Sequence, residues 1–105
     1  MAIQIIATTE QLRRMVRISN NKLDDDLEAF KDAFLTDLEI AGVDMIPVGD
    51  QLAISCLQLY LRWMFNYNGE AERYRANYMD LKESMRKSSR YHLYTPEEVE
   101  DNAEG

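Results

Sequence analysis

Residues 51–67, QLAISCLQLYLRWMFNY, decide the fold of this chain. At 3.6 residues per turn, their apolar side chains cover most of the circumference of a helix, which is typical of a helix packed on several sides. The polar side chains of this stretch share one strip about 80° wide; they are Ser55, Gln58, Arg62 and Asn66. We expect a central helix over 51–67, with Asp50 as its N-cap. The strip either faces water or forms an interface with another subunit, and we take it as the candidate subunit interface.

Three further helices are predicted around this centre. Thr8 and Gln11 have the spacing of a capping box and begin a helix that ends near residue 18. Apolar residues at helical spacing predict a second helix over 23–41, which Gly42 terminates, and a fourth over 70–87. The sequence therefore predicts an all-α fold, a small antiparallel bundle of about four helices.

Both ends of the chain are predicted to be extended arms. Residues 2–7 are apolar and mostly β-branched, which is typical of a short strand or an extended arm. We divide the chain into a helical domain of residues 1–87 and an arm with an acidic tail at 88–105. The aromatic part of this arm is the candidate docking segment, made of Arg90, Tyr91, His92, Leu93 and Tyr94. Either it adds a strand to another protein, or it belongs to a tail without a fixed place.

Length and charge exclude several classes of protein. The 105 residues suit one domain, and the net charge of −7 argues against a simple basic nucleic-acid binder. The charge alternates along the chain: it is +2 over 1–17, −7 over 18–50, +3 over 51–94 and −5 over 95–105. No apolar stretch reaches the roughly 20 residues that a membrane span needs. The arginines of the first helix either contact phosphates or form a solvated face; they are Arg13, Arg14 and Arg17.

We find no pattern of residues that predicts catalysis, a metal site or a cofactor. Asp24, Asp25 and Asp26 point about 100° apart on a helix and cannot converge on one ion, whereas their negative charge suits the first turn. Cys56 lies among apolar residues, where cysteine usually acts as a small hydrophobe, and His92 is the only histidine. We therefore expect a protein that is not an enzyme and binds no cofactor.

The order of several short motifs resembles the head–tail connector family of long-tailed bacteriophages and prophages. These are the adaptor or head-completion proteins, sometimes labelled DNA-packaging proteins. The resemblance covers residues 8–94 and rests on the general pattern of these motifs. They are Thr8–Arg13, Val16–Ile18, Asp24–Leu27, Leu57–Tyr60, Tyr67–Tyr74, Tyr78–Lys82 and Ser88–Tyr91.

The resemblance implies a structural virion protein without catalysis. It implies an all-α subunit, a ring of about a dozen copies under the portal protein, and a stopper or tail-completion protein below. Genomic DNA would pass through the ring without sequence-specific binding. The location would be the head–tail junction of the virion, and the host cytoplasm before assembly. The segment 88–105 would insert into the portal.

We also expect acidic residues to line this channel. Since like charge repels phosphate, we assign Asp44 and Asp50 to its wall. An alternative function rests on charge alone: an acidic regulatory module that mimics DNA and occupies a basic partner.

Overall fold

The computed structural model describes residues 3–93. Its helices are α1 (Thr9–Met15), α2 (Asp24–Ala41), α3 (Gln51–Met64) and α4 (Ala71–Lys87). Two short 3₁₀ turns, at Tyr67–Gly69 and Ser89–Tyr91, precede and follow α4. No strand forms within the described residues. The prediction of a small all-α bundle is confirmed.

The helix α3 is the centre of the bundle and contacts the three others. Phe30 and Phe34 of α2 pack on Phe65 and Tyr60 with ring centroids 5.3 and 5.8 Å apart, so α2 and α3 run in opposite directions. The rings of Tyr60 and Trp63 on α3 also pack on Tyr78 of α4, with ring centroids 5.1 and 5.9 Å away. The core therefore lies between α2, α3 and α4 and includes the fully buried Phe34, Leu57, Leu61 and Tyr78.

Local signals place the helix ends largely as expected. The capping box of Thr8 and Gln11 is present, because each side chain bonds the other residue's backbone N–H. The Asp50 carboxylate caps α3 through the Ala53 N–H at 3.0 Å. Gly42 ends α2 at a φ of +107°, a conformation that costs glycine little. The helix α3 ends at Met64, three residues before the predicted end, because Asn66 adopts a left-handed φ of +49°.

The predicted boundary at residue 88 is wrong as a structural break. Tyr91 is fully buried in the same core as the helices, although it was assigned to a separate arm. Its apolar ring is more stable in the core than in water, and its hydroxyl has a buried partner there. At the other end, residues 3–8 form no regular element, but Ile3 is also buried in the core. Residues 94–105 lie outside the described residues.

Candidate functional site

The buried carboxylate of Asp50 joins the start of α3 to the end of the described chain. Its side chain is 3% exposed, and it accepts hydrogen bonds from Arg90 Nε at 2.8 Å and from the Tyr91 hydroxyl at 2.6 Å. Burial opposes ionisation, but the bonds from Tyr91, Arg90 and the Ala53 N–H outweigh it and lower the pKa of Asp50. Asp50 is therefore a charged structural residue.

The same segment also supports the loop that precedes α3. The carbonyl of Tyr91 accepts the N–H groups of Asp44 and Met45, at 2.8 and 3.1 Å. The ring of His92 lies between the Arg86 carbonyl, 2.8 Å from Nε2, and an Asp44 carboxylate oxygen, 3.4 Å from Nδ1. Since a carbonyl oxygen can only accept, Nε2 is the N–H donor of this hydrogen bond. Residues 90–92 thus hold both ends of the loop 43–50.

These contacts change the assignment of the predicted docking segment. Arg90, Tyr91 and His92 are bonded within the protomer. The docking prediction is wrong for Tyr91, which is fully buried, but for Arg90, with a side chain 57% exposed, and for His92 it stays a prediction. Leu93 is 73% exposed and remains a docking candidate. Tyr94 lies outside the described residues.

The two residues assigned to a DNA channel differ in exposure. The prediction that Asp50 faces the channel is wrong, because its carboxylate is buried and neutralised by Arg90 inside the protomer. Asp44 is exposed, and its place in a channel wall stays a prediction.

The polar strip of α3 is partly used inside the subunit. Arg62 Nε donates to the Met15 carbonyl at 2.8 Å, and the guanidinium lies 4.5 Å from the centre of the Tyr67 ring. Asn66 lies beyond the helix end and accepts the Ala71 N–H at the start of α4. An external role for these two side chains would have to displace the internal contacts. Ser55 and Gln58 bond no other described residue through their side chains, and their place in an interface stays a prediction.

A second polar cluster links α2 to α4. The Tyr78 hydroxyl donates to Asp37, and Lys82 Nζ lies 2.9 Å from the same carboxylate oxygen. Burial and the Asp37 carboxylate both raise the pKa of Tyr78, so its hydroxyl stays protonated and continues to donate. Tyr78 belongs to the apolar periodicity that predicts α4, but no pattern in the sequence predicts its partner Asp37. The only available signal was that a buried tyrosine hydroxyl usually needs one.

Arg13, Arg14 and Cys56, the other charged or reactive candidates, are engaged in ion pairs or buried within the protomer. Arg13 forms a two-point ion pair with Asp24, and Arg14 pairs with Glu10. Burial raises the pKa of the Cys56 thiol to about 12, so the thiolate does not form at neutral pH. Within residues 3–93, no three His, Cys, Asp or Glu side chains come together as a metal-binding group. No described helix is both long enough and apolar enough to cross a bilayer.

An exposed apolar loop marks one surface of the protomer. A turn closed by the Asp50 N–H and the Pro47 carbonyl, with Gly49 at a φ of +74°, presents Val48 to solvent at 86% exposure. A cleft of about 260 Å³ separates this turn from the N-terminal segment, whose Ile6 is 68% exposed. We call this surface the loop face. It consists of Ile6, Val48, Gly49, Ile54 and Gln58, and the polar side chains of Gln11, Arg14 and Gln51 border it.

A shallow groove of about 380 Å³ forms a second apolar surface over the C-terminal part of α3. We call it the aromatic groove; it is lined by Ala33, Thr36, Asp37, Ile40, Tyr60, Trp63 and Met79. Ile40 is 79% exposed, and the Asp37 carboxylate is neutralised by Lys82. Around α3, the residues that line the groove point about 170° away from Ile54 and Gln58, at 100° per residue. The two surfaces therefore lie on opposite sides of the central helix.

The fold and these surfaces define a small all-α bundle protein with two separate apolar faces. No family model, curated protein or solved structure matches the chain.

Proposed function

We propose that this protein is a structural head–tail adaptor of a long-tailed phage or prophage, without catalysis. The observation that carries the proposal is the pair of exposed apolar surfaces on opposite sides of one small bundle. A subunit with two different contact surfaces on opposite sides can join copies of itself head to tail, and such contacts close into a ring when the rotation allows it. The order of the motifs in residues 8–94, which resembles that of connector proteins, also supports the proposal.

In this proposal, a ring of about a dozen copies sits under the portal protein at the head–tail junction. It receives the stopper or tail-completion protein and lets DNA pass. Before assembly, the subunits are in the host cytoplasm. Asp44 is the proposed channel residue, because an exposed carboxylate repels phosphate. Leu93 and the residues that follow it are the proposed contact with the portal.

The direct test is binding to the portal protein encoded in the same genome. We expect negative-stain images of the mixture to show a ring of this protein stacked on the portal ring. A variant that lacks residues 95–105 tests the tail without removing Tyr91 from the core. If the full chain neither forms rings nor binds the portal, the proposal is wrong.

One observation favours the acidic DNA mimic as a second candidate. Asp25, Asp26 and Asp32 of α2 are exposed and form no ion pair with another described residue. A mimic would compete with duplex DNA for a basic partner, and Asp25→Asn with Asp32→Asn would weaken that competition. In a connector, the same double variant would still assemble on the portal, which separates the two functions.

A further inference from the structure

The two apolar surfaces differ in shape in a way that suits contact between copies. The loop face carries a projecting turn whose tip, Val48, is almost fully exposed. The aromatic groove is concave, and its floor includes the half-buried rings of Tyr60 and Trp63. A small branched side chain on a turn can enter such a groove, whereas two loop faces would meet tip to tip.

The backbone around Val48 is held in place before any partner binds. Tyr91 fixes the loop on both sides of the turn, through its carbonyl at Asp44 and Met45 and through its hydroxyl at Asp50. A hydrogen bond from the Asp50 N–H to the Pro47 carbonyl closes the turn itself. Since an ordered loop loses little conformational entropy on binding, this turn is a preorganised contact element.

Charge also permits the contact. Residues 45–49 of the loop carry no charged side chain. The one carboxylate at the groove, Asp37, is bonded to Lys82 and to the Tyr78 hydroxyl. The Arg75 guanidinium lies 5.8 Å from the centre of the Trp63 ring, but Arg75 is exposed and can keep its contact with water. Docking of the uncharged turn would therefore bury apolar surface without burying an unpaired charge.

We infer that the turn Pro47–Gly49 of one copy docks into the aromatic groove of the next copy. This inference rests on the proposed ring and names the surfaces that join its subunits. Because the turn and the groove lie on opposite sides of α3, each copy offers one free turn and one free groove. The contact is heterologous and can propagate from copy to copy.

The test measures self-association of the full chain by sedimentation velocity and native mass spectrometry. Val48→Asp places a charge on the turn, and Ile40→Asp places one at the groove. Both positions are exposed, so circular dichroism of the monomers should stay unchanged. We expect each variant to need at least about tenfold more protein to associate, since each removes an anchor from the buried contact. Leu93→Asp is the matched control, because Leu93 is 73% exposed but lines neither surface, and it should associate like the unmodified chain.

Mixing the two variants gives the sharper result. The Ile40→Asp copy keeps an intact turn, and the Val48→Asp copy keeps an intact groove, so the mixture should form heterodimers that grow no further. Unimpaired association of either variant would overturn the inference, as would a mixture without heterodimers. An unmodified chain that stays monomeric up to about 1 mM would also overturn it. The portal-binding experiment decides the proposed function separately, because rings that are insensitive to both substitutions would leave the adaptor proposal intact.

Discussion

The hydroxyl of Tyr91 donates a 2.6 Å hydrogen bond to the carboxylate of Asp50, 41 positions earlier in the chain. Both α3 and α4 lie between these two residues in the sequence. The hydrogen bond couples the cap of the central helix to the last described turn, so the stability of the bundle depends on residues that sequence patterns assign to an arm.

We predict that Tyr91→Phe lowers the free energy of unfolding by about 1.5–3 kcal/mol, because a buried hydrogen bond to a charged group is lost. Urea unfolding followed by circular dichroism measures the change. Tyr67→Phe is the control, since the Tyr67 hydroxyl bonds no other described residue. Equal unfolding midpoints for the two variants would contradict a structural role for the Tyr91 hydroxyl.

The lowered pKa of Asp50 predicts an acid-sensitive fold. A carboxylate with a lowered pKa in the folded state contributes stability above its unfolded pKa, and this contribution is lost as the pH falls through the folded value. Glu28 adds to the effect, because the Thr9 hydroxyl at 2.7 Å lowers its pKa. We expect the free energy of unfolding to fall below about pH 4. Asp50→Asn should be less stable at pH 7 and show a shallower acid slope; a slope equal to that of the unmodified chain would exclude Asp50 as a source.

The C-terminal ends of α1 and α2 lead us to predict two substitutions that change the stability of the fold in opposite directions. Both helices close with a bond from an N–H to the carbonyl five residues earlier, Ile18 to Arg13 and Val43 to Leu38. At the left-handed position, α2 has Gly42, whereas α1 has Arg17 at a φ of +57°.

We expect Arg17→Gly to stabilise the fold by about 0.5–1 kcal/mol and Gly42→Ala to destabilise it by about 1 kcal/mol. Nothing lies within 4 Å of a Cβ added at Gly42, so the cost there is conformational. Thermal unfolding of both variants checks the pair, and the same sign for both would refute the argument.

Two truncations should separate the core from the tail. Removal of residues 88–105 takes Tyr91 out of the core, and loss of a large buried aromatic side chain costs at least about 3 kcal/mol. Removal of residues 95–105 leaves every bond of Asp50 in place and should lower the urea midpoint less than the longer truncation does. If both truncations unfold at the same midpoint, Tyr91 does not stabilise the bundle.

The contacts of Asn66 lead to a prediction about the start of α4. The side-chain oxygen of Asn66 accepts the Ala71 N–H, and the φ of Asn66 is left-handed. Asn66→Ala removes the cap and strains the backbone, so we expect a loss of about 1–2 kcal/mol. Asn66→Asp keeps an acceptor oxygen and should recover most of that loss in the same urea titration. If Asn66 only served an interface, Asn66→Ala would leave the monomer's stability unchanged.

Short-range chemistry explains which parts of the fold could be predicted. The caps at Thr8, Asp50 and Gly42 and the apolar periodicity of α2, α3 and α4 depend on neighbours within about one helical turn. The pairing of Asp50 with Arg90 and Tyr91 depends on how α4 returns along α3, which no local pattern encodes. The same polar and aromatic residue types are typical of a docking segment and of a buried hydrogen-bonded contact. The two apolar surfaces emerged only when the loop 43–50 and the ends of the helices were placed in space.

The bond between Asp50 and residues 90–91 also sets a path for mechanical load. A partner that grips the chain beyond Leu93 would pull first on the His92 contacts and then on those of Tyr91 and Arg90. Those contacts end at the cap of α3 and at the base of the turn that carries Val48. Tension on the C-terminal end of one subunit would thus reach the surface proposed to touch its neighbour, and part of it would enter α4 through the contact of His92 with the Arg86 carbonyl.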